Sequence, residues 1–388
     1  MTLSVRFLQC SGCRFDSPFW EGPAGWAMQR NHDLWQTFET VLLLCQSENV
    51  EFLFLTGDLF EQEYVRKTTV ERVAQSLGRL KSTKIFIVPG EKDPFVATSA
   101  YRLAVWPSNA HIFSAGISHV KIPAQNVTVY GAGWTAYQQE KPFLEGFQVV
   151  EDGTIPLMLL HAEVASTKST EGFIPLQTEH ISSSGLSYLA LGHQQKWTGI
   201  QKAGKTAWAD SGVLEARGFS ESGPHGVIIG EIGHGSTQFE FRELGQRRYI
   251  EKALPIQVNI ESLASILLSE TAPEERERDL FRIKLTGASA NAEEVVRPLQ
   301  RLLADTFRFI EVIYSQGETT SQLRPDFRTL TETTVGEERG YLTLTQIFLQ
   351  KLQERQSAAL SKADQDHWDL VRKIALTALD QGRIDDEN

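Results

Sequence analysis

The sequence predicts an α/β fold with a layered sheet core. First, short apolar runs that are typical of buried strands recur through the first 245 residues. Second, segments in which apolar residues follow a helical spacing lie between several of these runs. A chain with this mixture of strands and helices is expected to cover its sheets with layers of helix.

The elements follow in order from the N-terminus. Residues 1–8 are expected to form the first strand, and residues 31–48 a helix that leads directly into a strand starting at Phe52. Residues 65–80 form a second predicted helix, which precedes a strand starting at Ile85. Later strands are predicted at residues 127–131, 157–160, 188–191, 206–209 and 227–232.

A second region begins after a polar and basic segment, residues 244–254, that ends at Pro255. It is predicted to be a small β-α-β unit, with strands at 256–260, 280–285 and 309–314 and a helix at 293–306. Beyond Gly317, residues 341–352 and 368–379 have the spacing of amphipathic helices. The predicted domains are therefore 1–245, 246–330 and 331–388.

Composition limits the classes of protein to consider. The 388 residues are 41% hydrophobic and 22% charged, as in ordinary globular proteins. No apolar run approaches the roughly 20 residues that span a bilayer, and the N-terminus lacks the pattern of a secretory signal. Three cysteines are too few for a disulfide framework, so we expect a cytoplasmic protein without membrane contact. The net charge of -11 argues against a broad basic surface for nucleic acid, but leaves open a local groove or DNA binding shared with a partner.

Four of the apolar runs stop on a side chain of the kind that binds metals. These side chains are Asp58, Glu91, His161 and His193. In open α/β sheets, ligands bind just beyond the carboxyl ends of the strands. One Asp, one Glu and two His suit a divalent transition metal. The sequence therefore predicts a metal-centred phosphoester site.

Five separated segments resemble the motifs of the calcineurin-like metallophosphoesterases, and among them the SbcD-type DNA repair exonucleases. In order they are Gly12-Cys13-Arg14, Gly57-Asp58-Leu59-Phe60, Gly90-Glu91-Lys92-Asp93, His161 and Gly192-His193-Gln194-Gln195. The resemblance implies a hydrolase fold, the metallophosphoesterase layered sandwich of two sheets flanked by helices. It also implies a small α/β cap domain and a helical C-terminus, and it covers the first 245 residues best.

The resemblance also implies two neighbouring metal ions, of which the first would lie at Gly12, Arg14, Asp58 and Gln195. Glycine offers no ligand, and arginine brings a permanent positive charge to the place of a dication. We therefore expect the first site to hold no metal. Arg14 is expected to replace the ion or to bind phosphate, lying near the position of the first metal and pairing with Asp58 or Glu91.

The second metal of the family would be bound by Asp58, Glu91, His161 and His193. This set predicts one divalent metal, Mn²⁺, Fe²⁺ or Zn²⁺, and the alternative is a vestigial cluster with no metal. Lys92 stands at the position of the family's catalytic histidine. Because lysine titrates near about 10, it is a poor proton shuttle at neutral pH.

These replacements predict a degenerate SbcD-like subunit, inactive or strongly impaired as a nuclease. The resemblance implies an SbcC/SMC-like ATPase as its partner, with DNA binding and a homodimer as further expectations. Residues 341–352 resemble the docking segment for that ATPase, although such a helix can equally pack against its own domain. The alternatives are an active single-metal phosphoesterase that uses Asp58, Glu91, His161 and His193, and a structural interaction protein with no role at DNA.

One further motif is Cys10-Ser11-Gly12-Cys13 at the end of the first predicted strand. A C-x-x-C pair can be a redox motif or half of a zinc site. It can also be two small buried hydrophobic residues, and a thiolate from Cys13 could join the metal ligands.

Overall fold

The structure is a computed structural model that describes residues 4–19, 21–22, 25–138, 143–164, 176–233, 236–256, 259–287 and 292–315. These residues belong to one compact unit that spans Met1–Gly317. The predicted helices at 341–352 and 368–379 lie outside the described residues, as does the whole predicted domain 331–388.

Strands and helices alternate through most of the described chain. The strands are β1 Ser4–Cys10, β2 Phe52–Thr56, β3 Lys84–Val88, β4 Ala110–Ile112, β5 Ser118–Ile122, β6 Val127–Ala132, β7 Ile155–His161, β8 Tyr188–Gly192, β9 Gln201–Ala203, β10 Thr206–Asp210, β11 Gly226–Gly233, β12 Ser236–Glu243, β13 Tyr249–Pro255, β14 Leu280–Thr286 and β15 Phe309–Ser315. The α-helices are α1 Trp26–Ser47, α2 Lys67–Leu77, α3 Thr178–Ser183, α4 Ile260–Ser269, α5 Pro273–Arg278 and α6 Glu293–Leu303. None of these helices has the length and apolar character that crossing a bilayer requires.

Two six-stranded sheets build the larger part of the fold. Their strand orders are β12-β11-β1-β2-β3-β4 and β5-β6-β7-β8-β10-β9. Residues from both sheets share one buried cluster, in which the Phe7 ring lies 5.0 Å from Phe54 in its own sheet and 4.9 Å from Tyr188 in the other. Helices α1 and α2 cover the outer face of the first sheet, where Phe38 and Val73 are buried. The prediction of an α/β fold with two sheets flanked by helices is confirmed.

The parallel strands end at one edge of the molecule. In the first sheet β1, β2 and β3 are parallel neighbours, and in the second β7 and β8 are. The side chains that follow these strands consequently lie close together at this edge. Gly192 allows the two sheets to meet there, because a Cβ at this position would overlap the carbonyl oxygen of Thr56.

A third sheet, β13-β14-β15, is parallel and packs on α4 and α6. The predicted strand at 256–260 is wrong, because the first strand of this sheet is Tyr249–Pro255 and α4 begins at Ile260. Of the basic residues that suggested a junction, Arg247 and Arg248 precede β13 and pair with Asp33 and Glu243. Lys252 lies within β13 and pairs with Glu270. Asn259 caps α4 by accepting a hydrogen bond from the Ser262 amide, which helps the helix to begin at Ile260. The domain boundary at 245/246 stays a prediction.

Candidate functional site

A cavity of about 400 Å³ opens where the parallel strands end. Its walls carry residues from six loops, namely Arg14, Asp58, Glu91, Lys92, Glu163, His193, Gln194, Gln195, Lys196 and Val213. The structure therefore brings together Asp58, Glu91 and His193, which the strand ends indicated, and Arg14 and Lys92, which the resemblance indicated. His161, the last residue of β7, lies buried beside Asp58.

The His161 ring is fixed by a contact between the two sheets. Only 1% of this residue is exposed, and its Nδ1 lies 3.0 Å from the carbonyl oxygen of Thr56. Because a carbonyl only accepts hydrogen bonds, Nδ1 carries a hydrogen, and Nε2 is the ring nitrogen left for another partner. Nε2 faces Asp58 Oδ1 at 3.4 Å and has no hydrogen-bond partner. A buried basic nitrogen thus points at a carboxylate oxygen.

The backbone around the cavity departs from ordinary conformations. Arg14, Asp58 and His193 have φ angles of 45°, 51° and 133°. Residues other than glycine rarely adopt positive φ, and such strain persists where the surrounding structure imposes it. Gly57 precedes Asp58 with a φ of 92°, and a Cβ on it would overlap the His161 ring. The loop that carries Asp58 is therefore tightly fitted against His161.

Arg14 does not have the partner expected from the sequence. Its Nε and Nη2 donate to Glu61 Oε2 at 2.9 and 2.6 Å, so the prediction of a pair with Asp58 or Glu91 is wrong. The two loops are joined by the Phe15 and Phe60 backbones, which place Glu61 opposite Arg14. Burial opposes the charge of the guanidinium, but Glu61 and then Asp58 outweigh burial and raise the pKa of Arg14. The side chain is 21% exposed and lines the cavity rather than extending into solvent.

Lys92 forms a second ion pair at the cavity. Its Nζ lies 2.9 Å from Glu91 Oε1, while its backbone N–H donates to Asp58 Oδ1, also at 2.9 Å. Burial works against the ammonium, but Glu91 and Asp58 prevail and raise the pKa of Lys92. This side chain is therefore a charged hydrogen-bond donor at neutral pH.

His193 lies between two carboxylates. Its Nδ1 is 3.9 Å from Glu91 Oε2, and its Nε2 is 3.8 Å from Glu163 Oε2. Burial and the neighbouring His161 lower the pKa of His193 in spite of these carboxylates. Glu163 was missed by the sequence reasoning, although its place two residues after His161, just past the end of β7, was a usable signal.

Two buried aspartates hold the loops in place, and neither was predicted. Five groups donate to the Asp93 carboxylate, namely the backbone N–H groups of Asp58, Leu59, Phe60 and Gly90 and the hydroxyl of Tyr101. Burial, followed by the nearby Asp58, raises the pKa of Asp93 to about 6. Asp210 accepts from the amides of Gln194 and Gly212, and burial raises its pKa to about 7.

The donor residues can now be tested against metal ions. At the position of the first metal, Gly12 provides no ligand and the Arg14 cation is bound to Glu61, so these residues do not fit a metal. Asp58 and His161 do fit one divalent cation, because the unpartnered Nε2 faces a carboxylate oxygen. As placed, no three His, Cys, Asp or Glu side chains of the described residues are grouped closely enough to hold an ion. Further ligands would therefore have to turn toward this pair.

The C-x-x-C motif is buried beneath the loop that carries Arg14. The Cys10 and Cys13 sulfur atoms lie 3.8 Å apart, and both residues are buried. The contact with Cys13, followed by burial, raises the pKa of Cys10. Protonated buried thiols are unreactive, which favours two small core residues over a redox pair.

Comparison with known proteins supports a metallophosphoesterase-type hydrolase fold. The chain is 22% identical over 251 residues to an uncharacterized metallophosphoesterase, YhaO from Bacillus subtilis (strain 168). The matched region covers 62% of this chain and 61% of YhaO, so the chain spans about three fifths of that relative. No protein-family model matches the sequence.

Solved structures show weaker similarity. TT1561 of Thermus thermophilus is 12% identical, with a TM-score of 0.40, and the match covers 61% of this chain and 98% of TT1561. A dimetal phosphatase from Danio rerio is 10% identical, with a TM-score of 0.38, and the match covers 62% of this chain and 99% of the phosphatase. With identities of 12% and 10% and TM-scores of 0.40 and 0.38, these matches do not indicate an activity.

Proposed function

We propose that this chain is a degenerate SbcD-like subunit that has lost two-metal phosphodiester hydrolysis. The observation that supports this most directly is the Arg14–Glu61 ion pair beside Asp58. Two-metal hydrolysis clamps the attacking and the leaving oxygens between two cations. The Arg14 guanidinium cannot replace the metal in generating the nucleophile, because it contacts water only by donating hydrogen bonds and does not lower the pKa of that water as a bound metal does.

The remaining cavity residues can bind a phosphoester without cleaving it. Arg14 and Lys92 present charged donors to the cavity, and both are already paired with carboxylates. A phosphate would have to compete with Glu61 and Glu91 for them, so we expect weak binding. A metal bound by Asp58 and His161 would act as a Lewis acid on a phosphoryl oxygen.

The proposed partner is an SbcC/SMC-like ATPase. The motif order of the first 245 residues supports it through the resemblance to SbcD, and residues 341–352 are the proposed docking segment. With a net charge of -11, binding to DNA is proposed to depend on the assembled complex rather than on this chain alone. A homodimer of this chain and a cytoplasmic location complete the proposal.

A second candidate function is a single-metal phosphoesterase. The unpartnered Nε2 of His161 opposite Asp58 favours it, because a buried lone pair without a donor costs free energy unless a cation or proton meets it. Its predicted ligands are Asp58, Glu91, His161 and His193.

One experiment separates these two functions. The untagged full chain is assayed with Mn²⁺ on single-stranded DNA and on bis-p-nitrophenyl phosphate, together with His161→Ala and His193→Ala prepared identically. The proposal predicts turnover at background, equal in all three proteins. Turnover that vanishes in both variants would contradict it and establish the single-metal enzyme. Gel-shift binding with and without the ATPase tests the third possibility, a structural protein with no role at DNA.

A further inference from the structure

We infer that Glu163 is a ligand of the divalent cation that Asp58 and His161 can hold, and that Glu91 is instead the counter-ion of Lys92. This inference rests on the metal-binding capacity stated under the proposed function, and not on catalysis. It replaces one member of the ligand set that the motifs predict.

Glu91 is already occupied. Its Oε1 accepts from Lys92 Nζ at 2.9 Å, and the Lys92 backbone is itself held by Asp58. If Glu91 turned to a metal, it would bring the Lys92 ammonium close to a dication or leave it without a partner. Either result costs electrostatic free energy in a partly buried cavity.

Glu163 has no ion pair of this kind among the described residues. It lines the cavity, and among the described residues no Lys or Arg pairs with its carboxylate. Its backbone is fixed, because its carbonyl accepts from Leu176 N at 2.7 Å and the preceding residue, Ala162, donates to the carbonyl of Gly192. The side chain is 37% exposed and so retains freedom to turn. A fixed backbone with a partly exposed carboxylate that has no Lys or Arg partner among the described residues suits a ligand that turns toward an ion.

The donors converge from two strands. His161 ends β7 and His193 follows β8, and their ring centroids lie 5.4 Å apart. Glu163 Oε2 approaches His193 Nε2 at 3.8 Å, and Asp58 Oδ1 approaches His161 Nε2 at 3.4 Å. Two carboxylates and two imidazoles form a ligand set for Mn²⁺, Fe²⁺ or Zn²⁺.

Charge balance favours the same assignment. Arg14 pairs with Glu61 and Lys92 pairs with Glu91, so each of these cations is neutralised by one carboxylate. Asp58 and Glu163 are the carboxylates of the cavity wall that have no Lys or Arg partner in the described part of the chain. One divalent cation neutralises the two negative charges of Asp58 and Glu163. If Glu91 were the ligand in place of Glu163, the charge of Glu163 would have no cation opposite it and Lys92 would lose its ion-pair partner.

The test measures ion binding rather than activity. Co²⁺ is titrated into the chelator-treated full chain and followed by its visible absorption, and Mn²⁺ is titrated by calorimetry. The variants are Glu163→Gln, Glu91→Gln and, as a matched control outside the cavity, Glu179→Gln on the exposed face of α3. Circular dichroism and the unfolding midpoint show that each variant is folded.

We expect Glu163→Gln to weaken binding of both ions roughly 100-fold or more, since even outer partners of a metal site are worth about 10–100-fold. Glu179→Gln should change the affinity by less than about threefold. Glu91→Gln removes the counter-ion of Lys92 but no ligand, so it should weaken binding only modestly and much less than Glu163→Gln does. A large loss in Glu91→Gln, with or without one in Glu163→Gln, would overturn the assignment while leaving the metal site itself intact. If the unmodified chain binds no ion, both this inference and the proposal of a single-metal phosphoesterase are wrong. The proposal that the chain has lost two-metal hydrolysis would still stand.

Discussion

Asp93 provides the sharpest test of how the cavity is held together. Replacing it with alanine removes the acceptor of five hydrogen bonds, of which the four shorter ones measure 2.6–3.0 Å. Each buried donor left without a partner costs about 1 kcal/mol or more, which gives a loss of about 5 kcal/mol for the five donors. Removing the buried carboxylate also removes the cost of burying its charge, which stabilises the fold. That cost is seen in the pKa of Asp93, which burial raises to about 6. At about 1.4 kcal/mol per pKa unit, removing that cost returns about 3 kcal/mol at neutral pH. We therefore expect a net loss of about 2 kcal/mol in the free energy of unfolding.

The assay is urea unfolding of the full chain at neutral pH, with Tyr101→Phe as the control. That variant removes one of the five donors, the hydroxyl 2.6 Å from Asp93, and should cost about 1.5 kcal/mol. The reasoning is refuted if Asp93→Ala loses no more free energy of unfolding than Tyr101→Phe does. Such a result would mean that the loops after β2 and β3 are held by packing and not by this carboxylate.

Three further predictions concern the same region. Arg14→Ala should cost about 2 kcal/mol in urea unfolding, because Glu61 is left nearly buried without its cation, and equal stability would contradict the ion pair. Gly192→Ala should lower the thermal midpoint sharply, since its Cβ would overlap the Thr56 carbonyl, and an unchanged midpoint would contradict this close approach. Burial raises the pKa of Asp210 from 3.8 to about 7, so its contribution to stability is full below pH 3.8 and is lost as the pH rises through 7. The unfolding free energy of Asp210→Asn should therefore fall less than that of the unmodified chain between about pH 5 and pH 8, and parallel curves would contradict the shift.

The positions of the site residues could be predicted because they depend on strand ends. Apolar runs before Asp58, Glu91 and His193 fix where β2, β3 and β8 stop, and parallel pairing brings those ends to one edge. This part of the reasoning needs only local sequence and the direction of the strands.

The partners of those residues could not be predicted in the same way. Arg14 pairs with Glu61 because the Phe15 and Phe60 backbones meet in a bridge between two loops, which no local pattern reveals. In the sequence Asp93 is only the last residue of a motif, whereas its function in the fold depends on donors from another loop.

The small third sheet shows a different limit. Arg247, Arg248 and Lys252 make the segment before Pro255 polar and basic, which resembles a junction between domains. In the fold residues 249–255 form β13, whose Glu251 pairs with Lys284 on β14, while Leu254 packs inward. A short strand with one solvated face and a polar loop have similar compositions, and burial of the other face is a tertiary property.

The central claim is that the first of two metal positions has been replaced by an internal ion pair at Arg14 and Glu61. Anomalous diffraction from crystals grown in Mn²⁺ tests it most directly. The account predicts at most one strong anomalous peak beside Asp58, with the Arg14 guanidinium density on Glu61. Two neighbouring peaks beside Asp58, roughly 3.5–4 Å apart, would contradict it.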